Sequence, residues 1–417
     1  MGNTRSLAST RFQGAFTHVS SSFQTGSIVT QVVATADVFI AGAGPAGAYL
    51  AYLLAKQGID VVIADKENFP RDKVCGGGLS RKTIELIDFD IEPVVQRHIR
   101  GAWLTYQNRD TIEAELDAPA GCSVLRSELD DLILRQAVAA GARFFPRCAF
   151  EGAVRNNETI RIHTSDGDAS AKHLVGADGV FSKVRKTFFP RDLVSYAPAI
   201  ETLIPANDAV MADFGDRMLF DFGGMPRGYG WIFPKKDHLN VGVYSMFPRR
   251  SIRDDLSRFM SRYAALRGFE IKILGHSIPT RNRQRSYATE GVLLLGDAAG
   301  FAESFYGEGI YFALRSAVLA AEAFAESGGR RVEREYTERI RRHLAPDLFY
   351  SDLNARLFYP LQRFGYYRMA RSKLCNYYFG ELIGGRVSYR ECFYKTLMTL
   401  PYWMVSERIP PSSHAPF

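Results

Sequence analysis

The sequence predicts an α/β protein: a nucleotide-binding domain on a parallel sheet, an antiparallel β-sheet domain inserted into it, and a helical C-terminal segment. Three observations lead there. Residues 37–55 read as a buried strand, a glycine turn and a helix. Residues 195–285 alternate apolar and polar side chains, as in Leu239-Asn240-Val241-Gly242-Val243-Tyr244, the pattern of an antiparallel sheet. From Gly307 onward the periodicity is helical.

Taken in order, residues 1–36 contain no Asp or Glu and are rich in Ser and Thr, which reads as a disordered leader. Met1-Gly2 with Ser6 also has myristoylation spacing, a pattern that short sequences match by chance. Residues 37–41 form the first strand, 46–55 a helix, and 59–64 a second strand ending at Asp65. The uncharged run 38–55 has the length of a membrane span, but Gly42, Gly44, Pro45 and Gly47 break it into strand, turn and helix. Residues 128–140 make an amphipathic helix closed by Gly141. Residues 173–177 and 292–295 are short apolar strands, each running into a Gly-Asp segment. The boundaries expected are a nucleotide-binding domain in two parts, 37–194 and 286–330, a β-rich substrate domain over 195–285, and a helical segment over 331–417.

Composition narrows the function classes. A hydrophobic share of 46% and a charged share of 23% are those of a soluble globular protein. The net charge of +7 is unclustered, which argues against nucleic acid and suits an anionic substrate or membrane surface. Cysteines 75, 122, 148, 375 and 392 form no CxxC pair and no Cys/His cluster. Neither a metal site nor a disulfide scaffold is expected, and the setting is reducing and cytoplasmic, in solution or peripheral on a membrane.

Gly42-Ala43-Gly44-Pro45-Ala46-Gly47 lies between a strand and a helix, the context that makes a Rossmann-type dinucleotide turn informative. The first glycine permits the turn, the second lets a pyrophosphate approach, and the third lets the helix pack on the strand. The helix N-terminus, with Ala46 in its first turn, offers amides to the phosphates. Asp65, followed by Lys66, ends the second strand, where a carboxylate can accept ribose hydroxyls. Two later segments separate FAD from NAD. Gly176-Ala177-Asp178-Gly179, with Ser182 and Arg185, resembles the second fingerprint of flavoprotein hydroxylases, and Leu295-Gly296-Asp297-Ala298-Ala299-Gly300 resembles their third. That resemblance implies bound FAD, with Asp297 on the ribityl chain and Arg126 reaching the cofactor. Gly307-Glu308-Gly309-Ile310 opens a helix whose amides could face the pyrimidine end of the flavin.

Two further segments are more specific. Phe69-Pro70-Arg71-Asp72-Lys73-Val74-Cys75-Gly76-Gly77-Gly78 follows the second strand, and Tyr229-Gly230-Trp231-Ile232-Phe233-Pro234-Lys235 precedes Asn240-Val241-Gly242. With the stretch from Gly296 to Ile310 they resemble the geranylgeranyl reductase family, which saturates isoprenoid double bonds. The resemblance implies that Cys75 lies beside the flavin as a catalytic residue or serves only as a small one that fits, and that Gly76, Gly77 and Gly78 line the cofactor. Tyr229, Trp231 and Phe233 alternate along a strand and share one face, which suits a prenyl chain, an aromatic ring or a plain β core. Between Gly300 and Gly307 the chain is bulkier and more acidic than the family pattern, so Glu303, Phe305 and Tyr306 are expected to shape the substrate side. No second dinucleotide turn is visible, so the electron donor is NADPH bound transiently or a ferredoxin. The rival reading is a flavin-dependent halogenase or aromatic monooxygenase. Halogenases carry G-W-x-W-x-I-P, where this chain reads Gly228-Tyr-Gly-Trp-Ile-Phe-Pro.

From about residue 349 to 403 aromatics interleave with Arg and Lys. Such a segment suits either a membrane interface or a helical cap whose aromatics pack on the sheet domain. The expected partner is a prenylated small molecule or lipid.

Overall fold

The computed structural model describes residues 32–115, 120–191, 194–248, 250–269, 271–282, 286–370 and 373–399. All but the end of the expected leader lies outside these residues.

The first strand is Val32–Ala41, five residues longer at its start than the sequence pattern gives. The added residues pair in parallel with strand Gly167–Gly176, with Ala34 opposite Ala169 and Ala36 opposite Ala171, so the expected leader overlaps the sheet. Val61–Ala64 lies on the other side of the first strand, also parallel, and Arg143–Phe145 follows it. Val292–Leu294 continues the parallel order beyond Gly167–Gly176. Apolar helices cover this sheet: Pro45–Lys56, Arg126–Ala139 and Ile310–Ser327 pack together, with Leu50, Leu54, Leu129, Ile133, Leu314 and Leu319 fully buried or nearly so. Arg126 is thus the first residue of its helix rather than a residue before it.

The second sheet has seven strands, ordered Leu274–Asn282, Val194–Pro205, His238–Ser245, Gly228–Pro234, Arg217–Phe222, Gly101–Tyr106 and Asp110–Glu115. The alternation over 195–285 announces the first five. The last two come from a stretch far earlier, and Gly101–Tyr106 pairs in parallel with Arg217–Phe222. One face of this sheet packs against the helices Asp208–Phe214 and Ile252–Ser261 in a separate core that includes Ile232, Leu219, Val241 and Phe259. The other face turns toward the nucleotide-binding domain. A small third sheet, Gly78–Ser80, Gly121–Val124 and Val95–Ile99, sits at the junction.

Helices Val332–His343, Ala345–Phe358, Gln362–Ala370, Lys373–Ile383 and Tyr389–Thr399 follow, as the periodicity predicts. No described helix is long and apolar enough to cross a membrane.

Candidate active site

Between the two large sheets lies a cavity of about 790 Å³, and the glycine turn forms one end of it. Gly42 adopts φ +104°, and a Cβ there would stand 2.3 Å from the Ala177 carbonyl oxygen. Asp65 braces the turn: Oδ2 accepts from the Ala43 amide at 2.7 Å and Oδ1 from the Glu67 amide at 2.9 Å. Gly44 caps the helix with its Cα facing the cavity, and Lys66 lies on the cavity edge.

Arg71 stands beside this turn, its Nη2 3.5 Å from where a Gly44 Cβ would be. That nitrogen pairs with Asp130 at 3.2 Å, while Nη1 is buried without a hydrogen-bond partner. Across the cavity, Asp178 Oδ2 accepts from the amides of Lys183 and Val184, and its Oδ1 is buried and unsatisfied. Burial pushes this carboxyl above its usual range. A stranded guanidinium donor at a phosphate-type turn and a stranded acceptor opposite fit a dinucleotide. Asp297 lies at the cavity edge, 3.9 Å from His276. The amides of Gly309 and Ile310 begin the long helix Ile310–Ser327, whose positive end therefore points into the same space. Arg185 ties the two Gly-Asp segments together, bonding the carbonyls of Val180 at 2.8 Å and Ala298 at 2.7 Å.

The glycine run after Cys75 crosses the middle of the cavity. Gly77 sits at φ +63°, and a Cβ there would fall 2.2 Å from the Val124 carbonyl. Its carbonyl and that of Gly76 accept from the buried Lys235 ammonium, at 3.4 and 2.8 Å, and Val124 accepts from it at 2.9 Å. Burial lowers this lysine to a pKa of about 8. The Cys75 amide donates to Glu201 Oε1 at 3.0 Å, and burial raises that carboxyl. Cys75 Sγ accepts from the Gly77 amide at 3.4 Å and lies within hydrogen-bonding reach of Arg126. Burial works against the charge on Arg126, but its fork on Asp130, 2.8 Å at both oxygens, outweighs that and raises the pKa.

Beyond Cys75 the wall is aromatic. Tyr229, Trp231 and Phe233 face the cavity with Met218, Phe220, Tyr244 and Tyr306. Gly242 makes room for the Trp231 ring, since a Cβ there would lie 2.2 Å from it. Three of the polar tips are engaged within the protein: Trp231 donates to Asn240 at 2.7 Å, Tyr244 to the Ser304 carbonyl at 2.9 Å, and Tyr229 to the Tyr306 carbonyl.

Most residues singled out in the sequence meet here, but Gly47, Gly296, Phe305 and Glu303 do not line the cavity. Gly47 packs the helix on the turn, its missing Cβ only 1.9 Å from the Gly42 oxygen. Gly296 presses on Ala46 and Ala313. Phe305 points into a cluster with Tyr359 and Phe358, with centroids 5.6 and 5.4 Å away. Glu303, expected on the substrate side, is instead fully buried behind it. Its Oε1 accepts from the amides of Tyr306 and Glu308, and its Oε2 from the Phe305 amide and the Ser351 hydroxyl. Sequence reasoning missed Arg71, Lys73, Glu201, Lys235 and His276. Arg71, Lys73 and Lys235 belong to the matched segments and could have been found there. Lys73 contacts His276 at 2.9 Å, and burial lowers its pKa.

The family model for an FAD binding domain matches residues 35–190. Menaquinone reductase of Mycobacterium tuberculosis is 32% identical over 69% of this chain and 76% of its own length. The chloroplastic geranylgeranyl diphosphate reductase of Oryza sativa is 29% identical over 74% of this chain and 70% of its own. A geranylgeranyl bacteriochlorophyll reductase-like protein of Thermoplasma acidophilum superposes with a TM-score of 0.73 at 19% identity, covering 89% of this chain and 98% of that one. The halogenase PltM shares the fold at a TM-score of 0.65 and 17% identity, covering 78% of this chain and 76% of its own.

Proposed function

The chain belongs to the geranylgeranyl reductase family of FAD-dependent oxidoreductases, and from that premise we propose that it saturates carbon–carbon double bonds of a geranylgeranyl-type prenyl chain. One observation carries the reading. The cavity that starts at a dinucleotide turn ends, past Cys75, in an aromatic wall whose Tyr229, Trp231 and Tyr244 polar groups are each hydrogen-bonded within the protein. Such a wall offers a hydrocarbon chain contact without orienting polar groups, which a phenol or indole undergoing hydroxylation or halogenation would need. The second reading, oxygen-using chemistry, shares the fold but lacks that support.

Gly42, Gly44, Arg71 and Asp178 would hold the dinucleotide, with Asp297 and the Gly309–Ile310 amides at the flavin end. Bound there, FAD would supply hydride chemistry to one alkene carbon, with NADPH or a ferredoxin as the proposed source of its electrons. The chain's own residues do the rest. The aromatic wall holds the alkene and excludes water. Cys75, held through its amide by Glu201 and at its sulfur by Gly77, would give a proton to the second carbon.

The test is anaerobic incubation of reduced holoenzyme with geranylgeranyl diphosphate, a geranylgeranylated lipid and a prenylated quinone, read by mass spectrometry. Products heavier by two hydrogens per saturated bond are expected. Cys75→Ser should retain its flavin and lose turnover. If no prenyl compound is reduced, while oxygen and halide lead to modification of an indole or phenol, the proposal fails.

A further inference from the structure

Glu201, Gly242 and Trp231 stand in one row across three neighbouring strands, each opposite the next. Asn240 lies two residues from Gly242 on the same strand and so shares their face. With no side chain on Gly242 the three polar ones can meet, since a Cβ there would fall 2.2 Å from the Trp231 ring. The indole N–H donates to Asn240 Oδ1 at 2.7 Å. The Asn240 amide lies within hydrogen-bonding reach of the Glu201 carboxylate, whose Oε1 accepts the Cys75 amide at 3.0 Å. Gly76 packs against the same indole: a Cβ on it would stand 3.2 Å from Trp231 Nε1.

This chain of hydrogen bonds runs in one direction. An indole N–H only donates and a carboxylate only accepts, so Asn240 presents its oxygen to Trp231 and its nitrogen to Glu201. Glu201 is 4% exposed and Asn240 3%. Burying a carboxylate is costly, and a Phe at position 231 with a carbonyl beneath Cys75 would avoid that cost. What the polar chain adds is a fixed relation between the wall and the loop. Cys75 belongs to no helix or strand that would otherwise hold its amide.

We infer that Glu201 and Asn240 are positioning residues: through them the Trp231 indole locks the Cys75 amide, so that the thiol keeps one place relative to a chain lying on the aromatic wall. The catalytic meaning of this link rests on the proposed function; the link itself rests on the hydrogen bonds alone. Lys235 completes the hold by binding the carbonyls of the next two residues, Gly76 and Gly77.

Reversing the polarity of the chain tests it. Glu201→Gln sets one NH2 group against another, and Asn240→Asp sets carboxylate against carboxylate, although both replacements are nearly isosteric. Combined, they restore every bond: the new carboxylate at 240 accepts from the indole and from the new amide at 201, whose oxygen takes the Cys75 N–H. Wild type, both single variants and the double are compared as flavin-loaded full-length protein. Hydrogen exchange of the peptide carrying Cys75 should quicken on the order of tenfold in each single variant. In the double it should return to within about threefold of wild type, whereas independent structural roles would make the double worse than either single. On a geranylgeranyl substrate kcat should follow the same pattern, with KM held within about threefold. Wild-type exchange in both single variants, or a double no better than the worse single, overturns the inference. Exchange restored without kcat confines the chain to folding and overturns its positioning role. If a single variant fails to fold, recovery of folding and exchange in the double supports the chain, and no recovery sinks it. A wild type that reduces no prenyl compound ends the proposed function, while the exchange pattern still decides the link.

Discussion

Alanine at Gly44 and at Gly47 should separate cofactor binding from folding, although the two glycines share one turn. A Cβ at Gly47 would lie 1.9 Å from the Gly42 carbonyl oxygen and 3.0 Å from the Ala177 Cβ. The nearer of these is backbone, so no rotamer change relieves the contact and helix Pro45–Lys56 must lift from the sheet. Overpacking of that kind costs about 1–3 kcal/mol or more. A Cβ at Gly44 meets nothing in the protein closer than the end of the Arg71 side chain at 3.5 Å, and its φ of −67° suits any residue. The protein-side cost is the exchange of Gly for Ala at an N-cap, about 1 kcal/mol or less. The methyl would, however, occupy the space through which a pyrophosphate approaches the turn. Flavin absorbance per chain after gel filtration, and thermal unfolding of flavin-stripped protein, measure the two effects separately. Gly44→Ala should be nearly colourless yet melt near the stripped wild type, and Gly47→Ala should melt well below both. Full flavin in Gly44→Ala, or equal destabilisation of the two stripped variants, would falsify the placement of the pyrophosphate at this turn.

Two further outcomes test the rest of the fold. Asp221 is buried under Tyr263, which donates to it at 2.8 Å, and the Gln107 amide at 3.1 Å; burial raises its pKa to about 6 from the model-compound 3.8. The folded state then holds the proton more tightly than the unfolded one, so stability present below that lower value is lost as pH rises toward about 6, by about 3 kcal/mol at most. Asp221→Asn should remove this component, and denaturant titrations in which wild type and variant show the same pH slope would contradict it. Removing residues 1–36 should lower the melting temperature more than removing 1–31, because residues 34–36 pair with Ala169, Ser170 and Ala171 and the Thr35 carbonyl accepts from Arg143 at 2.5 Å. Identical melting of the two truncated chains would show that the strand's first residues add nothing.

What could be read from the sequence tracks how local the physics is. The turn at Gly42 needs a positive φ and the close approach at Gly47 needs the absence of a Cβ, and both leave glycine as the visible trace. The alternation of Tyr229, Trp231 and Phe233 fixes their common face for the same reason, since a strand's period is set by its own backbone. The first strand's start was misplaced because residues 32–36 carry no pattern of their own; their strand character comes from pairing with residues more than a hundred positions away. The same holds for Gly101–Tyr106, whose parallel pairing with Arg217–Phe222 leaves no mark in either segment.

The buried charges were harder to foresee, because Lys and Glu read as surface residues in any pattern of hydrophobicity. Lys235, Glu201 and Glu303 are each under 5% exposed, and each is satisfied chiefly by backbone. Lys235 donates to three carbonyls, Glu201 accepts the Cys75 amide, and Glu303 accepts the amides of Phe305, Tyr306 and Glu308. The common cause is the glycine-containing loops they face. A loop at 75–78 or 303–309 that lies against a buried cavity leaves amides and carbonyls without a helix or strand to pair them, and unpaired buried backbone groups are costly. One charged side chain with several hydrogen bonds meets that need more completely than separate neutral ones. A glycine run that both binds a ligand and excludes water therefore calls for an ion from elsewhere in the chain. Here the matched segment supplies it in sequence, as the Lys235 that closes the aromatic strand and holds the Gly76 and Gly77 carbonyls in place behind Cys75.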